Sequence, residues 1–192
     1  MAKLYLSTEP EADAMLAADP LALLIGMLLD QQVPMERAFV APYRLAQRLG
    51  VPALDAAAIA AHDPEELAAI FASPPSLHRF PGSMAARTQQ LCRVIADEYG
   101  NDAAAVWRDA GSGAELRSRL SALPGFGRQK AQIFVALLGK QLGVRPEGWR
   151  EAAGVYGEPD VHRSVADIVD DASLAKVREY KRQMKAAARA AG

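Results

Sequence analysis

The stretch Leu116-Arg117-Ser118-Arg119-Leu120-Ser121-Ala122-Leu123-Pro124-Gly125-Phe126-Gly127-Arg128-Gln129-Lys130-Ala131-Gln132-Ile133-Phe134-Val135-Ala136-Leu137-Leu138-Gly139-Lys140 decides how this chain is read. A short helical run ends at Leu123, a Pro-Gly-Phe-Gly turn follows, and a second apolar-periodic run begins. Two glycines around one apolar residue permit backbone angles that a side chain forbids. They also leave the amides of Gly125, Gly127 and Arg128 open where the second helix starts. Open amides at the positive end of a helix dipole form an anion site, and Arg128 and Lys130 add formal charge beside it. The stretch therefore reads as two helices joined by a hairpin that grips a phosphate.

Composition around this stretch favours a folded, helical protein. Of 192 residues, 51% are hydrophobic, which argues for a core rather than disorder. Alanine is abundant and β-branched residues are sparse, which favours helix. The formal net charge of -1 argues mildly against a broad nucleic-acid-binding surface. Its distribution says more. From Leu116 to Arg150 the basic residues Arg117, Arg119, Arg128, Lys130, Lys140, Arg145 and Arg150 face only Glu147, and the last helix adds a further basic run. The lone Cys92 builds neither a disulfide framework nor a cysteine-ligated iron–sulfur site, and three scattered histidines argue against zinc. The N-terminus has no signal-peptide pattern, and the apolar run Leu21–Leu29 is too short to span a bilayer. The expectation is a cytoplasmic protein.

Read in order, the chain predicts an extended lead over residues 1–12 and a buried helix starting at Asp19-Pro20. A helix over Met35–Leu49 follows, interrupted at Pro42 and stopped by Gly50. A short helix over Leu54–Ala61 precedes one opening at Asp63-Pro64 and ending before Ser73-Pro74-Pro75. Ser83 is expected to cap a helix through about Tyr99, and a short helix surrounds Trp107. After Gly143 the Gly- and Pro-rich segment Val144–Glu158 reads mainly as a loop. Pro159-Asp160 is expected to open a helix through about Val169, and Ser173 to cap a final helix.

The run Leu123-Pro124-Gly125-Phe126-Gly127-Arg128, followed by Asp160-x-His162, resembles the helix-hairpin-helix DNA glycosylases of base excision repair, a superfamily that includes endonuclease III. Leu28-Leu29-Asp30-Gln31-Gln32 resembles that family's early Leu-Leu-Ser-x-Gln segment. The resemblance implies an all-α fold of two lobes with a cleft between them. Residues 24–143 would form a central helical barrel carrying the hairpin at 116–140, and residues 1–23 plus 144–192 the second lobe. It implies excision of a damaged or mismatched base (uracil or thymine in mismatches, or an alkylated purine) from duplex DNA, carried out by a monomer.

The resemblance assigns Asp160 as the catalytic carboxylate. A carboxylate suits a reaction that develops positive charge on the deoxyribose and consumes water. The competing reading of Asp160 is a plain helix cap. Family members that also nick the strand carry a lysine where this chain has Gln129; its absence implies a monofunctional enzyme. Lys130 lies about 100° further round the helix, and reads as a phosphate contact or a surface charge. Gln32 matches the wedge that fills the gap left by an extruded nucleotide, with Gln31 competing for that role. Gly125, Phe126, Gly127, Arg128 and Lys130 are the expected DNA contacts. The resemblance also allows a monovalent cation on the backbone of Ser121, Leu123 and Phe126, and implies no iron–sulfur cluster. Trp149 and Tyr156 either line a base pocket or pack the loop onto the core, and His162 reads as structural. The separation of 31 residues between Gln129 and Asp160 exceeds that of endonuclease III. The rival readings are a non-catalytic hairpin protein that binds DNA or senses damage, and an all-α interaction domain without DNA.

Overall fold

The computed structural model describes residues 2–192. Eleven α-helices and two 3₁₀ turns make up its regular structure, with no strand among the described residues. An extended lead buries Leu4 and Leu6 before α1 (Pro10–Ala18). Asp19 then ends α1 and starts α2 (Pro20–Leu29): one carboxylate oxygen accepts from Leu21 N and Ala22 N, and the other from Leu54 N. Every residue of α2 from Leu21 to Leu29 is buried, as expected of a helix apolar on all faces. The helix α3 (Met35–Leu49) packs along it and stops at Gly50, whose φ of +70° is left-handed. The pair α4 (Ala56–Ala61) and α5 (Pro64–Ala72) rests on α6 (Pro81–Glu98).

The second half starts with α7 (Ala105–Arg108), α8 (Gly113–Ser121) and α9 (Arg128–Gln141), and α10 (Trp149–Ala153) packs across α8 and α9. The Trp149 ring seals this contact. It lies so close to Gly139 that a Cβ there would stand 2.3 Å from the indole. Two 3₁₀ turns, Gly154–Gly157 and Val165–Asp167, lean on α9, and α11 (Asp171–Ala190) ends the chain. One contiguous apolar core runs from Leu4 to Val177.

Several boundaries differ from the sequence expectations. The lead gives way to helix at Pro10, because Asp13 turns inward and accepts the amides of Leu6 and Ser7. The helix α3 runs on past Pro42, which is itself buried together with Ala41 and Leu45. The helix α6 starts at Pro81, and the Ser83 hydroxyl donates to Phe80 O instead of capping. The cap of α11 is Asp170, with Ser173 as its capping-box partner.

The helix expected from Pro159 to Val169 is absent, leaving only the 3₁₀ turn Val165–Asp167. Side-chain hydrogen bonds, some local and some tertiary, replace helical ones there. The Asp167 carboxylate accepts from Arg163 N, Ser164 N and Lys140 Nζ, and Gln141 Nε2 donates to the carbonyls of Ala166 and Ile168.

Candidate active site

Gly125, in the turn between α8 and α9, has a φ of +81°, and a Cβ on it would stand 2.0 Å from Leu28 Cδ1. Glycine is required there twice over, by backbone angle and by the close approach of α2. Gly127 is different. Its backbone is extended (φ -78°, ψ 178°), so it needs no special conformation, contrary to the expectation that both glycines do. Nothing lies within 4 Å of where its Cβ would be. No side chain caps α9, so its first amides point into open space. Phe126 does not present its ring to a ligand: it is buried edge-on against Phe134, and its N–H closes the turn onto Leu123 O.

The basic excess around the hairpin is mostly consumed internally. Arg119 donates to three backbone carbonyls and pairs with Glu115. Lys140 pairs with buried Asp167, Arg145 donates to Gly139 O, and Arg150 donates to Gly157 O while stacking on Trp149. Among the described residues, Arg117 and Arg128 have no protein partner, and Arg128 is exposed beside the bare amides.

A cavity of about 450 Å³ opens next to the hairpin, within the range of roughly 300–1,000 Å³ usual for small-molecule sites. The loop after α2 supplies Asp30, Gln31 and Gln32, and α9 supplies Gln129 and Lys130. Tyr156 comes from the segment 144–158, which is the insertion that lengthens the spacing from Gln129 to Asp160; Arg163 follows Asp160, and Tyr180 and Lys181 come from α11. Gln129 Nε2 donates to Tyr156 Oη at 2.8 Å. Lys130 reaches this cavity too, although its rotation round the helix predicts otherwise. Its flexible stem folds back so that Nζ donates to Leu28 O at 3.1 Å. That carbonyl belongs to the last turn of α2, where acceptors are unpaired and a cation is favoured. Burial lowers the Lys130 pKa and nearby Arg87 adds to this, while Asp30 opposes it.

Asp30 lines the same cavity, yet its carboxyl has no hydrogen bond or ion pair among the described residues. Burial raises its pKa against the opposing pull of Lys181 and Lys130. Its neighbours Gln31 and Gln32 differ. Gln31 is committed, donating to Leu28 O and accepting from Arg87. Gln32 is exposed, at a φ of +56°, with no side-chain hydrogen bond.

The loop that carries these residues is pinned by His78, which is fully buried. Phe80 N donates to His78 Nδ1, so the ring proton sits on Nε2, which donates to Leu29 O and Gln31 O. Sequence reading missed both His78 and Asp30. The signal for Asp30 was present: a carboxyl directly ending a wholly apolar helix. His78 carried none, since its partners lie 47 and 49 residues away.

Asp160 is exposed, in a turn between Tyr156 and Arg163, and does not itself line the cavity. No helix starts beside it, which removes the capping role. Its φ of +56° is left-handed, and its carboxylate has no protein partner among the described residues. His162 is partly buried without a hydrogen bond, and Trp149 packs the insertion onto the core.

The model of the HhH-GPD superfamily base excision DNA repair protein matches residues 25–190, spanning the hairpin, the insertion and the cavity walls. The chain belongs to the HhH-GPD superfamily. No curated protein and no solved structure matches it. Membership of this superfamily makes DNA the partner and base excision repair the setting.

Proposed function

We propose that this protein is a monofunctional DNA glycosylase that hydrolyses the N-glycosidic bond of a damaged or mismatched base and leaves an abasic site. The observation that carries the reading is the pairing of an uncapped helix N-terminus at Gly127 with a cavity next to it. The first suits a backbone phosphate and the second an extruded base. In this reading the amides after Gly127 and the Arg128 guanidinium hold the strand, and the backbone of Ser121, Leu123 and Phe126 remains a candidate seat for a monovalent cation. Gln32 enters the duplex; its freedom from internal hydrogen bonds favours it over Gln31. The cavity opens between 24–143 and 144–192, in keeping with a cleft between two lobes.

Asp160 is the carboxylate that stabilises charge on the sugar and takes a proton from the attacking water. Its support is a left-handed backbone in a non-glycine residue, an uncommitted carboxylate, and a position between two cavity-lining residues. Monofunctionality is supported by Gln129, which has no nucleophilic nitrogen. The test is a panel of duplexes each bearing one lesion, followed by alkaline cleavage of abasic sites. Excision of one lesion, reduced about 10²–10⁴-fold in Asp160→Asn, is the expected result. A protein that binds the duplexes and excises nothing would instead be a damage sensor.

A further inference from the structure

The cavity's charges are lopsided. Lys130 from α9 and Lys181 from α11 line it, together with Arg163, whose charge is balanced by its ion pair with Glu158, and Asp30 is the one carboxyl among its lining residues. The other ionisable groups on its walls are Tyr156 and Tyr180, and Arg87 of α6 reaches Gln31 close to the Asp30 loop. Such a site disfavours a positively charged ligand. Asp30 meanwhile is unspent: neither lysine forms an ion pair with it, and no backbone amide caps it. We propose that Asp30 is the proton donor to the departing base, and that the cavity takes an uncharged base rather than a cationic N-alkylated purine. The proposal rests on the glycosylase reading above and narrows its substrate class.

The two halves of this proposal support each other chemically. An N-alkylated purine already carries a positive charge and departs neutral, so it needs no acid. An uncharged base departs as an anion unless a proton reaches it as the bond breaks. In the step, the C1′–N bond breaks and its electron pair goes to the base. The Asp30 carboxyl proton passes to a ring nitrogen or carbonyl oxygen of that base, which leaves neutral. Water adds to C1′ and gives one proton to the Asp160 carboxylate. Asp30 is left ionised between Lys130 and Lys181, which stabilise it, and both carboxyls return to their starting states by exchange with solvent. One water is consumed overall. Burial, which favours the protonated acid beforehand, works in the same direction.

The experiment measures single-turnover excision against pH for wild type, Asp30→Asn and Asp30→Glu. The duplexes carry uracil, thymine opposite guanine, adenine opposite 8-oxoguanine, or 7-methylguanine. One uncharged base should be excised, at a rate falling as pH rises through the Asp30 pKa. Asp30→Asn should slow it about 10²–10⁴-fold and remove that alkaline limb, and Asp30→Glu should restore part of the rate. Release of 7-methylguanine should stay at its spontaneous rate. Wild-type rate and alkaline limb retained in Asp30→Asn would overturn the proposal, as would preferred excision of 7-methylguanine. Should Asp30→Asn fail to fold, a wild-type profile with no alkaline limb overturns it alone. Activity lost in Asp160→Asn but kept in Asp30→Asn sinks only this proposal, whereas a wild type that excises nothing sinks the glycosylase reading as well.

Discussion

Gln129 Nε2 donates a hydrogen bond to Tyr156 Oη at 2.8 Å, joining the first turn of α9 to the 3₁₀ turn of the insertion. The residue that would be a lysine in strand-nicking relatives is thus an amide committed to a phenol. Lys130, the amine beside it, is held by Leu28 O. Borohydride reduction of the protein with abasic-site DNA is expected to give no covalent adduct. An adduct that disappears in Lys130→Met would reverse the monofunctional assignment and make Lys130 the nucleophile.

Gly125→Ala should be among the most damaging single-methyl additions in the chain. It forces a side chain onto a φ of +81° and into Leu28 Cδ1. Overpacking of this kind costs roughly 1–3 kcal/mol, and the backbone angle adds to it. Chemical denaturation should show the loss. Gly127→Ala meets no atoms and sits in extended backbone, so it should fold normally and weaken DNA binding by crowding the amides.

Arg128→Ala should lower affinity for duplex DNA similarly across sequences and reduce the slope of log K against log salt by about 1, since one phosphate contact is lost. Arg119→Ala should leave that slope unchanged, because its guanidinium is occupied by backbone carbonyls and Glu115. Titrations by fluorescence anisotropy at several salt concentrations separate the two.

Stability should fall as the solution is acidified below about pH 6.5, the unperturbed histidine value. Burial lowers the His78 pKa, so below that value the unfolded chain binds a proton more readily than the folded one. The contribution of neutral His78 is fully present above the unfolded pKa and is lost as pH falls towards the folded one. The geometry agrees, because a proton on Nδ1 would confront Phe80 N–H and release the loop carrying Asp30 and Gln32. Urea unfolding midpoints between pH 5 and 8 test this. A His78→Gln variant should flatten the dependence.

Asp167→Ala should destabilise the fold by about 3–5 kcal/mol, the usual result of removing one partner of a buried ion pair. The Asp167 side chain is 4% exposed and pairs with Lys140 Nζ at 2.5 Å. Its loss also frees the amides of Arg163 and Ser164, so the backbone beside the cavity should loosen although the Arg163 guanidinium keeps Val155 O and Glu158. Thermal unfolding measures the first effect, and DNA affinity under folding conditions the second.

Local chemistry in the sequence was enough to locate most helices. Asp19-Pro20 and Asp63-Pro64 carry their own starts, Gly50 carries a stop, and the apolar run of α2 declares its burial. The hairpin was legible for the same reason, as a turn specified by Pro124 and Gly125. The helix expected at 159–169 was not formed, because the Asp167 carboxylate folds back onto the amides of Arg163 and Ser164, and Gln141, from outside the segment, donates to the carbonyls of Ala166 and Ile168. The basic cluster around the hairpin looked like a DNA face, and only the fold shows that most of it is occupied.

By itself, then, the sequence determined an all-α chain with a Pro-Gly-Phe-Gly hairpin between two helices, since each of these is a matter of residue type and short-range spacing. Tertiary structure alone decided which side chains meet. Asp30, in the loop after α2, and Lys130, on α9, are 100 residues apart, and His78 reaches back to the Asp30 loop. Burial and charge neighbours are properties of that assembled cavity, so no reading along the chain could supply them.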